Sequence, residues 1–401
     1  MVLKDKNIAL YVTGGVAIYK TLDLLRTFIK KGAHVRVAMT PAARAFISPL
    51  LFEKLSKHRV YTDLFSDEDP ERVDHIEIAD WSDLAVVAPA TANTIAKMSV
   101  GIADNIVTSA LLASTCPIFV IPAMNENMYN NPATQRNCDI LRRDGFYVME
   151  PDAGFLAEGY EGKGRFPVQD RIIEELEQFI LKNTSDLPLQ GKKIIVTAGG
   201  TREAIDPVRF ISNRSSGKMG HALAEAAFFA GAEVVLVTAS PLGVHRGIQM
   251  IHVESAQEMA KYVNHLFSEA DGLIMAAAVS DYRVAKVADH KLKKQEKLTL
   301  ELQKNPDILK ELGQQKQDQL LIGFAAETEN LLEYANQKLI SKNLDAIVAN
   351  YVAISSQGFD VDDNSGYIIS TDGSMIEIPK MSKKEMAEEI IHYVIDQLTK
   401  K

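Results

Sequence analysis

Residues 8–15 read IALYVTGG, and residues 194–200 read IIVTAGG. In both stretches a short apolar run ends at a glycine pair. An amphipathic segment and a second apolar run follow in each case, GAHVRVAMT at 32–40 and EVVLVTA at 233–239. A strand, a loop, a helix and a parallel strand in this order open a doubly wound sheet. The repeated opening therefore predicts an α/β chain with two Rossmann-like, doubly wound parallel-sheet domains.

A polar stretch with proline and glycine, NTSDLPLQGKK at 183–193, separates the two halves. We place the domain boundary within it, which gives domains at 1–190 and 191–401. A chain of 401 residues is long enough for two domains of ordinary size. Near the end of the second half, residues 365–378 predict a hairpin with Asp-Gly at its turn, and a final helix is expected at about 382–398.

The composition excludes several classes of protein. A formal net charge of −9 argues against general nucleic-acid binding, which needs a basic surface. No apolar run approaches the roughly 20 residues that span a bilayer, so no membrane association is expected. Two cysteines, Cys116 and Cys138, make neither a metal-site spacing nor a disulfide framework, which favours the cytoplasm.

Three loops of the first half follow predicted strands: TGGVAIYK at 13–20, PATANT at 89–94 and PAMNENMY at 122–129. Open α/β sheets bind ligands at the carboxyl ends of their strands. Glycines at 14 and 15 let backbone N–H groups at a helix start face an anion. In the second loop, Asn93 and Thr94 are explained equally well as ligand donors or as helix caps. Because neither half contains G-x-G-x-x-G, the three loops favour a phosphate-bearing flavin over a nicotinamide cofactor.

Two polar residues and one glycine-rich segment complete the first-half candidates. His75 precedes a predicted strand and has acidic neighbours, so a functional role competes with an ordinary surface histidine. Asn125 is too polar for a core and suits a ligand carboxylate or amide. The segment GFLAEGYEGKGR at 154–165 has a composition that neither helices nor strands favour, so it predicts a loop that folds over a ligand.

In order, GGVAIYK, His75, PATANT, PAMNENMY and GFLAEGYEGKGR resemble the motifs of the flavin-containing cysteine decarboxylases, over about residues 6–182. That family uses FMN to oxidise a cysteine thiol to a thioaldehyde, which accepts the electrons released with CO2, and the resulting enethiol is then reduced. The resemblance implies a flavodoxin-like flavoprotein domain in which His75 acts beside the flavin and Asn125 holds the substrate carboxylate. It assigns to FMN the residues Gly14, Gly15, Thr40, Pro89, Thr91, Asn93, Thr94 and Met124.

The glycine-rich segment departs from this family at one position. The family reads LACG there, with the cysteine as proton donor, whereas this chain reads LAEG with Glu158. One hypothesis is that Glu158 replaces the thiol as general acid, its pKa raised under a closed lid. The alternative is that the donor is lost, which leaves an FMN-binding scaffold or an incomplete decarboxylase. A flavin-binding regulator that acts through protein contacts is a third reading of this half.

The second half begins with a cationic loop, GGTREAIDPVRFISNRSSGKMG at 199–220, between a strand and a helix. AAAVSDYR at 276–283 ends another strand with Asp281, a candidate ligand of magnesium or a nucleotide. A lysine-rich stretch containing KLKKQEK at 291–297 and the helix start NPDIL at 305–309 follow. A basic flap over a nucleoside triphosphate explains all of these features, whereas a nucleic-acid patch explains only the lysines.

SNRSSGKMG, AAVSDYR, KLKK, NPDIL, GFAAET and the IVAN segment resemble the phosphopantothenate–cysteine ligases of the CTP-using bacterial type, over about 191–398. Those enzymes join 4′-phosphopantothenate to L-cysteine through an acyl-cytidylate, with Mg2+ or Mn2+, and the resemblance gives Asn213 to the second step and Asp281 to the metal. It assigns to CTP the residues Met275, Ala276, Ala277, Asp281, Lys291, Pro306, Asp307, Ile308, Leu309, Phe324, Lys338 and Lys342.

The whole chain thus resembles the bifunctional decarboxylase–ligases of coenzyme A synthesis. The resemblance implies small-molecule partners: 4′-phosphopantothenate, L-cysteine, CTP and 4′-phosphopantothenoyl-L-cysteine. It also implies a homo-oligomer with trimeric decarboxylase and dimeric ligase contacts, which together can close a dodecamer. A flavin-binding regulator that acts through protein contacts would not need Asn213, Asp281 and the lysine-rich flap.

Overall fold

The structure is a computed structural model that describes residues 2–65, 73–294, 296–327, 330–351 and 363–399. Gln295 of KLKKQEK and Thr328 of GFAAET lie outside these ranges. The chain divides into two compact units, Met1–Ser185 and Asp186–Lys401, and the sequence-based boundary at 190/191 stays a prediction.

The first unit alternates strands and helices along most of its length. Its strands are β1 (Asn7–Val12), β2 (His34–Met39), β3 (Val60–Tyr61), β4 (Leu84–Ala90), β5 (Ile118–Pro122), β6 (Tyr147–Val148), β7 (Asp152–Phe155) and β8 (Glu161–Arg165). Its helices are α1 (Ile18–Lys30), α2 (Pro41–Arg44), α3 (Pro49–Ser56), α4 (Asp74–Trp81), α5 (Ala92–Val100), α6 (Ile106–Ala113), α7 (Glu126–Asn130), α8 (Pro132–Arg143) and α9 (Gln169–Lys182).

Six of these strands form one parallel sheet in the order β3-β2-β1-β4-β5-β6, with Ile8 of β1 opposite Val35 of β2 and Leu84 of β4. The doubly wound fold class is confirmed. The order is that of the dinucleotide-binding Rossmann fold, and the flavodoxin order 2-1-3-4-5 is not the one that the described strands adopt. The order reverses between β1 and β4, so the loops after these two strands open a ligand crevice.

The sheet of the first unit is buried on both faces because its strands are apolar on both sides. Leu10 and Val12 of β1 pack with residues of α1 and α9, while Ala9 and Tyr11 pack with residues of α4, α6 and α8. Every residue of β4 is buried. Each large apolar side chain buried in this way stabilises the fold by about 1.5–3 kcal/mol. The two cores hold the strand ends, and therefore the loops after them, in fixed positions.

The prediction that residues 154–165 form one loop was wrong at both ends, because β7 and β8 pair there as an antiparallel hairpin, with residues 156–160 as the connection between them. Glycines are needed in this hairpin because it lies directly on the loop after β5. A Cβ added to Gly164 would lie 2.1 Å from Met124 O, and one added to Gly162 would lie 2.6 Å from Glu126 Oε2. Met124 N donates to Gly164 O across the same contact, at 3.0 Å. Gly162 and Gly164 therefore allow strand β8 to approach the loop after β5 closely.

The second unit repeats the strand–helix alternation and ends in a hairpin and a long helix. Its strands are β9 (Lys193–Ala198), β10 (Arg202–Ala204), β11 (Phe210–Ser212), β12 (Glu233–Thr238), β13 (Gln249–His252), β14 (Gly272–Met275), β15 (Tyr282–Val284), β16 (Leu302–Lys304), β17 (Leu320–Glu327), β18 (Ala346–Tyr351), β19 (Asp363–Ser370) and β20 (Met375–Ser382). Its helices are α10 (Lys218–Phe229), α11 (Ala256–Phe267), α12 (Ile308–Gln315), α13 (Leu331–Ser341) and α14 (Lys383–Thr399).

Eight strands of the second unit form a sheet in the order β13-β12-β9-β14-β17-β18-β19-β20, in which β19 pairs antiparallel with β18 and with β20 and the other neighbours are parallel. The predicted hairpin with Asp372-Gly373 at its turn and the predicted final helix are both present. Residues of α10 and α14 cover one face, and residues of α11, α12 and α13 cover the other. Here the order reverses between β9 and β14, which places a second ligand crevice at the carboxyl ends of these strands.

Candidate functional site

A cavity of about 880 Å3 lies at the carboxyl ends of β1, β2, β4 and β5 in the first unit. This is the usual size of a small-molecule site. Aromatic side chains of Tyr19, Phe46, Phe155 and Phe166 contribute to its wall. Among the sequence-predicted residues that line it are Gly14, Gly15, Thr40, Thr91, Asn93, Thr94, Met124, Asn125 and Glu158.

The loops after β1 and β4 are tied together behind this cavity. Thr13 Oγ1 donates to Pro89 O at 2.5 Å and accepts from Thr91 N at 3.1 Å. Pro89 itself is not part of the cavity lining. Thr91 caps α5 by accepting from Thr94 N at 3.4 Å, so the capping role lies with Thr91 rather than with Asn93, whose side chain is exposed.

The start of α1 supplies an anion-binding end to the cavity. No side chain caps this 13-residue helix. Ile18 N donates to Gly15 O and Lys20 N to Ala17 O, both at 3.0 Å, so the helix start offers a ligand its dipole and the N–H of Tyr19 rather than a full set of N–H groups. Lys20 and Arg165 also line the cavity, and burial together with the Arg165 charge lowers the pKa of the Lys20 ammonium. Gly14 is required for packing, since a Cβ there would lie 2.6 Å from Ala42 Cβ. An aromatic wall beside an uncapped helix start fits a flavin with a phosphate.

The Asn125 amide meets the β7–β8 hairpin at the mouth of the cavity. Asn125 Nδ2 donates to Glu158 Oε1 at 3.1 Å and to Tyr160 Oη at 2.8 Å. Asn125 Oδ1 accepts from Asn127 N at 2.9 Å. Both amide hydrogens and the amide oxygen therefore have partners within the chain. The Glu158 side chain is exposed, not enclosed as the lid hypothesis expects.

A buried phenol anchors the same hairpin from beneath. Tyr129 Oη donates to Glu150 Oε2 at 2.9 Å, and Lys163 Nζ of β8 approaches that oxygen at 2.6 Å. Burial and the hydrogen bond to Glu150 raise the pKa of Tyr129 to about 12. Lys163 N also donates to Glu126 Oε1 at 3.1 Å. These contacts fix the base of the hairpin, while its tip at Glu158 stays at the cavity mouth.

His75 is not brought to this cavity within one chain. It lies in helix α4, next to Asp74, which accepts from Arg59 Nη2 at 2.5 Å. His75 Nδ1 is buried and has no hydrogen-bond partner among the described residues. The sequence placed it in front of a strand, and the two turns of α4 before β4 were missed.

A second cavity, of about 760 Å3, lies at the carboxyl ends of β9, β14, β17 and β18 in the second unit. The sequence-predicted residues that line it are Asn213, Met275, Ala276, Ala277, Asp281, Pro306, Asp307, Ile308, Leu309, Phe324, Lys338 and Lys342. Lys291 does not line it, although the sequence assigns this residue to the same ligand.

The backbone after β14 is held rigidly on one side of the second cavity. Asn213 Nδ2 donates to Ala278 O at 3.1 Å and to Val279 O at 3.3 Å. Thr197 Oγ1 accepts from Ala277 N at 3.1 Å. Asn305 Nδ2 donates to Ser280 O at 2.8 Å. The amide hydrogens of Asn213 are thus committed to the backbone, while the rest of the residue lines the cavity.

Two helix starts point anion-binding groups at this cavity. Gly217 begins α10 at φ +84° without a side-chain cap, and an added Cβ would lie 2.5 Å from Ser240 Cβ. At α12, Asp307 is the cap and also pairs with Lys342 Nζ at 2.9 Å. The lysines that line the cavity are Lys218, Lys304, Lys310, Lys338, Lys342 and Lys383. This density of cations beside two helix starts suits a polyphosphate.

Asp281 is the sequence-predicted metal ligand, and it is exposed. Across the described ranges no cluster of three or more histidine, cysteine or acidic side chains could hold a metal. A single carboxylate still fits Mg2+, because this ion is commonly held by one or two carboxylates together with substrate phosphates.

Several cavity residues were missed by the sequence. Asn350, the last residue of the IVAN segment, lies one residue before the end of β18 and could have been assigned to the ligand from the rule that ligands lie at strand ends. Asn364, 5 % exposed, and Lys383, 8 % exposed, line the same cavity from β19 and α14. Neither carried a sequence signal, because the sheet order alone brings these late segments to the site.

Comparison with known proteins matches both units. Residues 2–181 match the model of the Flavoprotein family, and residues 189–398 match that of the DNA/pantothenate metabolism flavoprotein C-terminal domain. The chain therefore consists of a unit of the Flavoprotein family followed by a unit of the DNA/pantothenate metabolism flavoprotein C-terminal domain family.

Curated relatives cover the full length. The chain is 47% identical to the coenzyme A biosynthesis bifunctional protein CoaBC of Bacillus subtilis, over 98% of this chain and 97% of that one. It is 40% identical to the protein of the same name from Escherichia coli K12, over 100% and 99%. A crystal structure of the C-terminal domain of a CoaBC protein is 44% identical, with a TM-score of 0.47, over 54% of this chain and 100% of that one. The chain belongs to the family of coenzyme A biosynthesis bifunctional proteins.

Among the described residues, no helix is both long and apolar enough to cross a bilayer.

Proposed function

We propose that this chain catalyses two consecutive steps of coenzyme A biosynthesis. The second unit joins 4′-phosphopantothenate to L-cysteine at the expense of CTP, through an acyl-cytidylate. The first unit then converts 4′-phosphopantothenoyl-L-cysteine to 4′-phosphopantetheine with FMN. The observation that carries this proposal is a separate ligand cavity in each unit of a chain with full-length CoaBC relatives.

In the ligase step the second cavity has to neutralise charge. A carboxylate is a poor acylating agent, and its transfer to CTP creates a leaving group, CMP, and releases pyrophosphate. Lys338 and Lys342 line the cavity beside the start of α12, where cations and N–H groups stabilise the charge on the phosphates. Asp281 would hold Mg2+ or Mn2+ against the same phosphates. Asn213, held against the backbone after β14, keeps the acyl group in line for the cysteine amine.

In the decarboxylase step FMN, when bound, supplies the oxidation that makes loss of CO2 possible and the reduction that follows. The chain's own groups bind and orient the substrate. The start of α1 and the loops after β2 and β4 would hold the flavin and its phosphate. Asn125 receives the substrate carboxylate, and Glu158, 3.1 Å from the same amide nitrogen, passes a proton to the product carbon.

Completion of the first cavity requires a second copy of the chain in this proposal. His75 is not part of the cavity lining within one chain, although the resemblance places its role beside the flavin. A homo-oligomer with trimeric contacts in the first unit would bring His75 of one copy to the cavity of another. Dimeric contacts between ligase units would then give the dodecamer.

A single reconstitution tests the proposal. The purified chain is supplied with FMN, Mg2+, CTP, 4′-phosphopantothenate and cysteine, and pyrophosphate, CO2 and the final thiol are measured separately. We expect all three in equal amounts. Pyrophosphate without CO2 would reduce the first unit to a scaffold, and CO2 with only an enethiol product would make it an incomplete decarboxylase. Failure to release pyrophosphate with CTP would refute the ligase assignment.

A further inference from the structure

The backbone of the lysine-rich stretch is hydrogen-bonded at Leu292 to the Asp206–Arg209 ion pair, which lies elsewhere in the second unit. Leu292, the neighbour of Lys291, donates its N–H to Asp206 Oδ2 at 3.1 Å. Its carbonyl oxygen accepts from Arg209 Nη2 at 3.0 Å. Both backbone hydrogen-bonding groups of one residue are therefore taken by a single Asp–Arg pair, 86 and 83 residues earlier in the chain.

The Asp206 carboxylate is built into its position. It is 2 % exposed, and Oδ1 accepts from Val208 N at 2.9 Å and from Arg209 N at 3.0 Å. Oδ2 accepts from Arg209 Nε at 2.9 Å in addition to Leu292 N. These hydrogen bonds, the one from Arg209 first, hold the pKa of the Asp206 carboxyl well below its usual range. The carboxylate is thus ionised at neutral pH.

The pair lies in the turn of the β10–β11 hairpin, between Arg202–Ala204 and Phe210–Ser212. A second contact strengthens the docking, since Ala288 N donates to Ile205 O at 3.0 Å. Between Val284 and Leu302 the described residues of the lysine-rich stretch form no helix or strand. Its position therefore depends on contacts such as these rather than on regular structure. The residue after β11 is Asn213, so one hairpin carries Asn213 and anchors the segment of Lys291.

We propose that Asp206 is a positioning residue of the ligase unit: with Arg209 it fixes the backbone at Leu292 and so sets the place from which Lys291 reaches the CTP phosphates. This inference rests on the proposed ligase function. It explains why Lys291 lies outside the cavity lining while its neighbour is held firmly. Because the backbone at Leu292 is held, Lys291 can move only a short distance relative to it. Less conformational entropy is then lost when this segment becomes ordered on CTP binding.

The test uses Asp206→Asn in the full-length protein. The variant keeps the size of the side chain but removes the charge and one acceptor facing Leu292 and Arg209. We expect the KM for CTP to rise by about tenfold, which corresponds to about 1.4 kcal/mol, while the KM for cysteine changes less than about twofold. Trypsin cleavage after Lys291, Lys293 and Lys294 should accelerate in the absence of CTP, because the anchored backbone is released.

Glu203→Gln is the matched control. Glu203 is 3 % exposed on the same hairpin, but its Oε1 accepts from Ala256 N at 2.9 Å, away from the lysine-rich stretch. This variant should leave both the KM for CTP and the trypsin cleavage rate at the parent values. Equal effects from the two variants would mean that the hairpin merely needs its buried carboxylates to fold, and would overturn the inference.

A double-mutant cycle separates positioning from general damage. In a Lys291→Ala background the Asp206→Asn change should raise the KM for CTP by less than about twofold further, since there is no ammonium left to position. Fully additive effects would overturn the inference. If Asp206→Asn does not fold, Arg209→Lys, which cannot span Asp206 and Leu292 with a planar fork, replaces it in the trypsin assay. A parent protein that does not use CTP would refute the ligase function, whereas unchanged trypsin cleavage would refute the anchor.

Discussion

The two cavities hold their asparagine side chains in different ways. In the first unit, the Asn125 amide donates to the side chains of Glu158 and Tyr160 on an exposed hairpin. In the second, the Asn213 amide donates to the backbone carbonyls of Ala278 and Val279, in the segment after the buried strand β14. Side-chain partners change by rotation, whereas backbone partners do not move without the sheet. The hydrogen-bond partners of the asparagine side chain are therefore exchangeable in the first unit and fixed in the second.

The sharpest way to test the fixed amide is Asn213→Asp. The new carboxylate would face two carbonyl oxygens in place of two donated hydrogens, so it would turn away and leave the acyl group misaligned. We expect the rate of amide formation to fall by about a thousandfold while CTP-dependent pyrophosphate release persists. Product formation and pyrophosphate release are measured in the same reaction.

A matched control for this change is Asn183→Asp. Asn183 Nδ2 also donates to a backbone carbonyl, that of Phe179 at 2.8 Å, but in the first unit and outside both cavities. Its ligase rate should equal that of the parent. Full amide formation by Asn213→Asp at the parent rate would contradict the role given to the fixed amide.

The exchangeable side of the comparison is tested by Glu158→Gln. The variant can still contact Asn125 but cannot deliver a proton, so the saturated product should form about a hundredfold more slowly and enethiol should accumulate. Mass spectrometry of the thiol products distinguishes the two. Glu161→Gln, an exposed glutamate on the same hairpin, should behave as the parent.

Two results would remove Glu158 from the mechanism. Saturated product from Glu158→Gln at the parent rate would exclude it as the acid. Enethiol as the sole product of the parent itself would show that the reductive half is absent from this chain.

The second cavity is lined by more cationic side chains than the first. Lys342→Ala tests how much one of these charges contributes to CTP binding. Loss of one charge-assisted contact to the phosphates should raise the KM for CTP by about tenfold, with a smaller effect at high salt. The control is Lys316→Ala, since Lys316 makes an ion pair of the same length, 2.9 Å to Asp345, away from the cavity. Equal effects from the two lysines would indicate a change in overall stability instead.

The smallest expected effect concerns the anchor of the hairpin, in Tyr129→Phe. Loss of the hydrogen bond to Glu150 should cost about 1 kcal/mol of stability at neutral pH. Because folding raises the pKa of Tyr129 to about 12, its contribution is complete below the unfolded pKa of about 10 and disappears as the pH rises through the folded value. The difference in Tm between parent and variant should therefore narrow above pH 10, and a constant difference up to pH 12 would contradict this. Tyr262→Phe, at an exposed position of α11, should leave Tm unchanged at neutral pH.

Much of the fold was accessible from the sequence because its signals are local. The apolar runs in 8–15 and 194–200 predict the first strand of each half, and β1 and β9 lie there. The loops after β1 and β4 were found because glycine and hydroxyl residues directly follow apolar runs. For the same reason most of the residues assigned to the two ligands line the two cavities.

The failures come from contacts between distant segments. Glycines at 162 and 164 look like loop residues until Met124 and Glu126 are seen against them. Lys291 looks like a cavity residue until its neighbour is seen held by Asp206. No window of sequence carries this information, because it depends on which segments the sheet order brings together.

The two hydrogen bonds that the Asn125 amide makes to Glu158 and Tyr160 bear on product release from the first unit. On the proposed role of Asn125, the incoming substrate carboxylate displaces the Glu158 side chain from the Asn125 amide. Once CO2 has left, the product carries no group able to keep that position, and Glu158 recaptures the amide. Glu158 and the substrate carboxylate thus compete for the Asn125 amide, and this competition favours product release once the carboxylate has been lost.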